Sequence, residues 1–203
     1  MIAIVDYGVG NLFSLRSSFS AIGAEALVTG EEETLRLADR IVLPGVGAFG
    51  DARQKLSQLG LDHLLQELAL EGKPLLGICL GMQMLFEKSY EFGEYEGLKL
   101  LPGQVTAMAP RLPSSLKIPQ IGWNALHLRK PEHPLLSHVR EGDFVYFVHS
   151  YSAVNCEEVL LAETEYGIPV TAAVGKNNIM GCQFHPEKSG SVGLSILRAF
   201  VGM

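Results

Sequence analysis

Residues 75–83 read LLGICLGMQ, an apolar run that ends in Gly77-Ile78-Cys79-Leu80-Gly81. Leu75 to Ile78 have the composition of a buried strand, and from Leu80 onward the apolar spacing is helical. Cys79 must therefore turn the chain sharply from strand to helix. Such an elbow crowds neighbouring backbone, and glycines two residues before and two after the cysteine relieve that crowding. A thiol at this point stands at a helix N-terminus, where unpaired N–H groups and the dipole favour a thiolate. The backbone N–H of Leu80 is then available to an oxyanion. A lone cysteine in an apolar run is ordinarily a small core residue. Packing does not explain the glycines, because a helix gains nothing from Gly81. The stretch therefore points to an α/β fold and to Cys79 as a nucleophile.

Outward from the elbow, the first half of the chain alternates strand and helix. Ile2–Val5 reads as a strand, followed by a helix from about Asn11 with Leu12, Leu15, Phe19 and Ile22 on one face. Glu25–Val28 and Arg40–Leu43 read as further strands. Glu31, Glu32 and Glu33 open a short helix between them, and two more helices span roughly Asp51–Gln58 and Leu61–Glu71. This rhythm predicts one α/β domain over residues 1–203, with a largely parallel central sheet and helices on both faces. After Gly97 the pattern changes to strands with Gly and Pro turns, near Val105–Met108, Phe144–Val148, Val159–Ala162, Val170–Val174 and Ile179–Phe184. These predict an added antiparallel β section, and a closing helix covers Ser191–Val201.

Sites in open α/β sheets form at the carboxyl ends of the strands. DYGVGN (6–11), PGVGAFG (44–50) and the Cys79 elbow each follow a strand, so all three are expected on one rim. The turn after Ile179–Phe184 carries His185 and Glu187 in QFHPEKS. Positions i and i+2 of an extended segment project to the same side, so Glu187 is placed to orient the His185 imidazole as a triad carboxylate does. Without Cys79 the pair would read as a turn with a surface ion pair. Gln83 lies one helical turn beyond Cys79 on the same face and suits a substrate hydrogen bond as well as a solvent contact. Gly45-x-Gly47-x-x-Gly50 matches the dinucleotide fingerprint literally. That fingerprint requires a βαβ unit of about 30 residues with an acidic side chain after the second strand, and here two helices intervene. The loop reads better as the source of a second backbone N–H near the thiol. Asn11 reads as the N-cap of the first helix. His149 in YFVHSY fits either a packed histidine or a ligand contact. His63, His127, His133 and His138 lack partners at metal spacing and read as structural.

With 203 residues, 47% apolar and 19% charged, the chain has the make-up of a compact domain with much buried sheet. A net charge of −6 and no basic stripe argue against nucleic acid, and no apolar run has the length of a membrane span. Cys79, Cys156 and Cys182 form no C-x-x-C pair, which implies reduced thiols in the cytoplasm and neither zinc nor a disulfide frame. No metal site and no cofactor are called for.

Together these residues resemble the class I, triad-type glutamine amidotransferases, and more closely the glutaminase subunits of imidazole glycerol phosphate synthase. The resemblance covers essentially the whole chain through DYGVGN, LPGVGAFG, GICLGMQ, PQIGWN (119–124), YFVHSY (146–151) and QFHPEKSG. It implies a catalytic triad of Cys79, His185 and Glu187. Gln83, Gly45 and the backbone of His149, Ser150 and Tyr151 would hold glutamine. Leu80, with Val46 or Gly47 after a peptide flip, would supply the oxyanion hole. The implied partner is a cyclase subunit with a (β/α)8 barrel, in a heterodimer, with Asn11 and Trp123 in segments near the interface. Gln120 departs from the P-H-x-G-W-N pattern of many members. The alternatives are the glutaminase subunit of another synthase and a non-catalytic regulatory binding subunit.

Overall fold

A computed structural model describes residues 1–203. Strand β1 (Ile2–Val5) leads into α1 (Leu12–Ala21), then β2 (Ala26–Thr29), α2 (Glu32–Leu37) and β3 (Arg40–Leu43). Helices α3 (Phe49–Gln58) and α4 (Leu61–Leu70) precede β4 (Leu75–Ile78), which feeds α5 (Leu80–Met84). Next come β5 (Lys88–Ser89), β6 (Tyr95–Glu96), β7 (Gln104–Ala107), β8 (Gln120–Ala125) and β9 (His127–Leu128). Strands β10 (Phe144–His149), β11 (Tyr151–Val154), β12 (Leu160–Glu165), β13 (Pro169–Lys176) and β14 (Ile179–Cys182) follow, and α6 (Gly190–Gly202) closes the chain.

The main sheet has the order β2-β1-β3-β4-β14-β13-β12-β9. The first five strands pair in parallel, while β13, β12 and β9 continue the same sheet antiparallel. Much of the expected antiparallel section is thus an extension of the central sheet. The remainder forms a two-stranded β8–β10 ribbon and a small sheet of β11, β7, β5 and β6. Successive side chains of a strand face opposite ways, and β1 shows the consequence. Ala3 and Val5 pack with Leu35, Phe49, Leu65 and Leu80 on one face, under α2 to α5. Ile2 and Ile4 pack with Leu15, Phe19, Ile196 and Phe200 on the other, under α1 and α6. Phe19 and Phe200 are fully buried there, and truncating either to alanine is expected to cost about 3–5 kcal/mol.

The rim expectation holds in this topology. Strands β1, β3, β4 and β14 run parallel side by side, so the turns after all four emerge together. Asn11 occupies the N-cap position of α1, yet its side chain makes no capping bond. Its backbone sits at φ −90, ψ 64, away from the extended geometry that aims a side chain at the first-turn N–H groups.

Candidate active site

Cys79 holds φ 55 and ψ −112, a conformation that L-residues avoid and that typically costs about 1–3 kcal/mol. Tight packing around it fixes the strain. A Cβ added to Gly81 would lie 1.9 Å from the Leu43 carbonyl oxygen, and one on Gly77 would lie 2.6 Å from the Gly81 oxygen. The elbow thus presses its backbone directly against the end of β3, and only glycines allow that approach. The Cys79 N–H donates to the Cys182 carbonyl at 2.7 Å, which ties the elbow to β14. Helix α5 is only five residues long, so its macrodipole is far weaker than the sequence suggested.

His185 enters from β14, followed by a 3-10 turn over Pro186–Lys188. The turn, rather than an extended strand, brings Glu187 to the imidazole, with Nδ1 2.8 Å from Oε1. Both side chains are buried. The His185 backbone is pinned on both sides: its N–H donates to the Tyr146 carbonyl, and its carbonyl accepts from the Ser189 hydroxyl. Burial pulls the basicity of His185 down. Hydrogen bonds and charge from Cys79 and Glu187 outweigh it and hold the ring well above the usual histidine range. With Nδ1 engaged by Glu187, Nε2 is the nitrogen left for the thiol.

These groups open on a cavity of about 550 Å³. Val46, Gly47, Cys79, Leu80 and His185 line it. Gln83, His149, Ser150 and Tyr151 line it too, as do Ile118, Pro119 and Val148. Gly45 does not line it; the residue packs behind, where a Cβ would meet the Gly81 nitrogen at 2.7 Å. The loop from Pro44 to Ala48 is held at its start by the buried Tyr7 hydroxyl, which donates to the Pro44 carbonyl at 2.7 Å. Gly47 holds φ 90, a backbone conformation that glycine adopts without strain.

His149 is buried with Nδ1 2.8 Å from the Tyr151 carbonyl, which fixes the proton on Nδ1. Burial lowers its pKa to about 4, so the ring is neutral. Gln120 lies opposite it across the β8–β10 ribbon, fully buried, with its amide nitrogen on Asn124. Asn11 and Trp123 stand outside the cavity. Of the remaining histidines, His127 pairs with Glu141 at the surface, while the His133 ring accepts from the Leu135 N–H. The three cysteines are all free and buried.

Four contributors escaped the sequence reading. Glu91 and Lys188 are the charged residues of the cavity wall other than the His185 ring, and Phe92, also in the lining, holds φ 55. Gln183 is fully buried and its amide nitrogen lies 3.7 Å from the Cys79 sulfur. Glu91 sits in YEFGE, which carries no motif signal. Gln183 did carry one, as a polar residue between the apolar Cys182 and Phe184.

A family model described as glutamine amidotransferase class-I matches residues 3–202. The chain belongs to that family. Within it the chain belongs to the HisH family. It is 48% identical over 201 residues to the imidazole glycerol phosphate synthase subunit HisH of Lactococcus lactis, covering 98% of this chain and 97% of that one. It is 49% identical over 202 residues to the HisH subunit of Wolinella succinogenes, covering 98% of each. Among solved structures, a crystal structure of a glutamine amidotransferase aligns with TM-score 0.77 at 17% identity, covering 100% of this chain and 98% of that one. PurLQS from Thermotoga maritima aligns with TM-score 0.76 at 19% identity, covering 99% and 97%. At such identities these amidotransferase structures establish the α/β fold that the sequence pattern predicted.

Proposed function

We propose that this HisH-family chain, acting as one amidotransferase domain in the cytoplasm, hydrolyses glutamine and supplies the ammonia to a cyclase subunit. That partner would be a (β/α)8 barrel making imidazole glycerol phosphate and AICAR in histidine biosynthesis. The observation that carries the reading is the buried His185–Glu187 pair set beside Cys79, whose strained elbow lines an amino-acid-sized cavity.

The chemistry follows from that geometry. His185 takes the Cys79 proton, and the thiolate attacks the side-chain amide carbon of glutamine. Negative charge on the tetrahedral oxygen meets the N–H of Leu80, the first residue of α5, and one from Val46 or Gly47 once the peptide turns. Each such donor is typically worth about 3 kcal/mol of barrier. The C–N bond then breaks, ammonia leaves with the proton held by His185, and a γ-glutamyl thioester remains. Water, deprotonated by His185, cleaves the thioester to glutamate and restores the thiol. Glu187 keeps the proton on Nδ1 and stabilises the imidazolium. Glu91 suits the substrate's α-ammonium and Lys188 its carboxylate, with Gln83, Ser150 and Tyr151 completing the grip.

Free ammonia at neutral pH becomes mostly ammonium, a poor nucleophile, so internal transfer to the partner is required. The outward face of the β8–β10 ribbon supports such a partner, since Ile121, Trp123 and Phe144 are exposed there and Val148 in the same row lines the cavity.

The test is glutamate release from glutamine by the purified chain, alone and with the cyclase subunit and its nucleotide substrate. A large rise only in the full mixture is expected. Fast release by the chain alone would point to an uncoupled glutaminase, and none in either case to a non-catalytic subunit.

A further inference from the structure

With α5 only five residues long, its dipole gives the Cys79 thiolate little help, and His185 supplies one hydrogen-bond partner to the sulfur. A second group does touch it. The Gln183 side-chain nitrogen lies 3.7 Å from the Cys79 sulfur, a separation suited to N–H···S because sulfur is a larger acceptor than oxygen. We propose that Gln183 is a catalytic residue whose side-chain amide donates to the Cys79 sulfur and stabilises the attacking thiolate. The inference rests on the reading of Cys79 as nucleophile.

The direction of the amide is fixed by a chain of hydrogen bonds that starts at an unambiguous acceptor. The backbone carbonyl of Tyr151 can only accept, so Gln83 must turn its NH2 group toward it, at 3.1 Å. The same NH2 donates to Gln183 Oε1 at 3.0 Å. Gln183 therefore presents its own NH2, and not its carbonyl, to the sulfur. Gln83 acts as a positioning residue in this relay.

Burial strengthens the case. Gln183 is fully buried between Cys182 and Phe184, which are equally inaccessible, in a place where an apolar side chain would ordinarily stand. Its amide is satisfied at both ends only because the sulfur takes the NH2. A hydrogen bond to an ionised partner is stronger than one to a neutral partner, and more so where water is excluded. The contact thus favours the thiolate over the thiol, and it opposes drift of the sulfur away from the oxyanion N–H of Leu80.

A purely structural tie would hold the elbow without responding to ionisation, and that difference gives the test. In 15N-labelled full-length protein, the Gln183 side-chain amide resonance should titrate with the same midpoint as alkylation of Cys79 by iodoacetamide, read on the Cys79 peptide. The titration should vanish in Cys79→Ala. Gln183→Met, similar in size but without a donor, should raise the alkylation midpoint by about half to one pH unit. Its kcat for glutamine in the cyclase complex should fall about tenfold, with KM within about twofold. Gln183→Glu keeps the acceptor for Gln83 but sets a carboxylate oxygen against the sulfur, so it should raise the midpoint further. An amide resonance blind to Cys79 ionisation, read in the wild-type chain and so independent of any folding defect, overturns the proposal. So does an unmoved midpoint in either folded variant. Hydrolysis surviving in Cys79→Ala would instead remove the nucleophile assignment itself.

Discussion

The backbone N–H of Phe49 donates to Oε2 of Glu91 at 2.7 Å, joining the first residue of α3 to a carboxylate of the cavity wall. The loop between Pro44 and Ala48 is therefore clamped at both ends, by Glu91 at its exit and by the Tyr7 hydroxyl at its entry. Between the clamps lies the Val46–Gly47 peptide proposed for the oxyanion hole.

Glu91 serves that loop and, in the proposed reading, the substrate ammonium as well. Glu91→Gln is expected to raise KM for glutamine about tenfold or more through loss of a charge-assisted contact. Burial raises the Glu91 carboxyl above the usual range, against the lowering effect of the Phe49 N–H. A raised pKa means that the carboxylate is lost sooner as pH falls. KM of the wild type should therefore climb on mild acidification, and that climb should flatten in Glu91→Gln. Steady-state kinetics across pH decide it; parallel profiles for the two proteins would rule out an ammonium-binding role.

Tyr7→Phe removes only the hydroxyl that anchors Pro44. One buried carbonyl then lacks its donor, so stability should fall by about 1–3 kcal/mol in urea unfolding. A less confined loop should also lower kcat several-fold with little change in KM. A loss of stability with kcat intact would make the hydroxyl a purely structural anchor.

Cys79→Ala should abolish glutamate release and leave the fold intact, because the side chain contributes little packing volume. Glu187→Gln should be milder by about a hundredfold, since an orienting carboxylate contributes less than the nucleophile. The sign of its pH effect is set by His185. Glu187 helps raise the imidazole pKa against burial, so the imidazolium persists to higher pH in the wild type. Replacing Glu187 should move the alkaline limb of the kcat profile to lower pH. A limb that stays in place would show that Glu187 does not act through His185.

The legibility of this chain in its sequence follows the strength of local signals. The β1-to-β4 half was readable because short apolar strands alternate with amphipathic helices, and Ile2–Val5 and Arg40–Leu43 are found with those bounds. The β8 strand went unread: QIGWNA carries a glycine and few β-branched residues, and the ribbon that orders it is set by pairing with Phe144–His149, some twenty residues on. At the site, Cys79 and its glycines were visible because an elbow demands them locally. Glu91 and Tyr7 were not, because each acts on a loop that is distant in sequence. The Gln83–Gln183 bond spans 100 residues and exists only after β4 and β14 pair.

Trp123 tests the partner reading. In the antiparallel ribbon, Ile121, Trp123, Phe144 and Tyr146 share one face, opposite the buried row of Gln120, Val145, Phe147 and His149. Trp123 is 52% exposed and rests edge-on against Tyr146, which in turn carries the Lys188 ammonium 5.9 Å from its ring centre. A large aromatic ring held in place by its neighbours and open to solvent is the kind of group that anchors an interface. Trp123→Ala should therefore weaken binding of the cyclase subunit by at least about 2 kcal/mol, or about thirtyfold in Kd, by calorimetric titration. Leu70, 84% exposed on α4, gives the comparison, and Leu70→Ala should leave Kd unchanged. Equal affinities for the wild type and Trp123→Ala would place the partner on a different face. The exposed row that Val148 continues into the cavity lining would then lie off the interface.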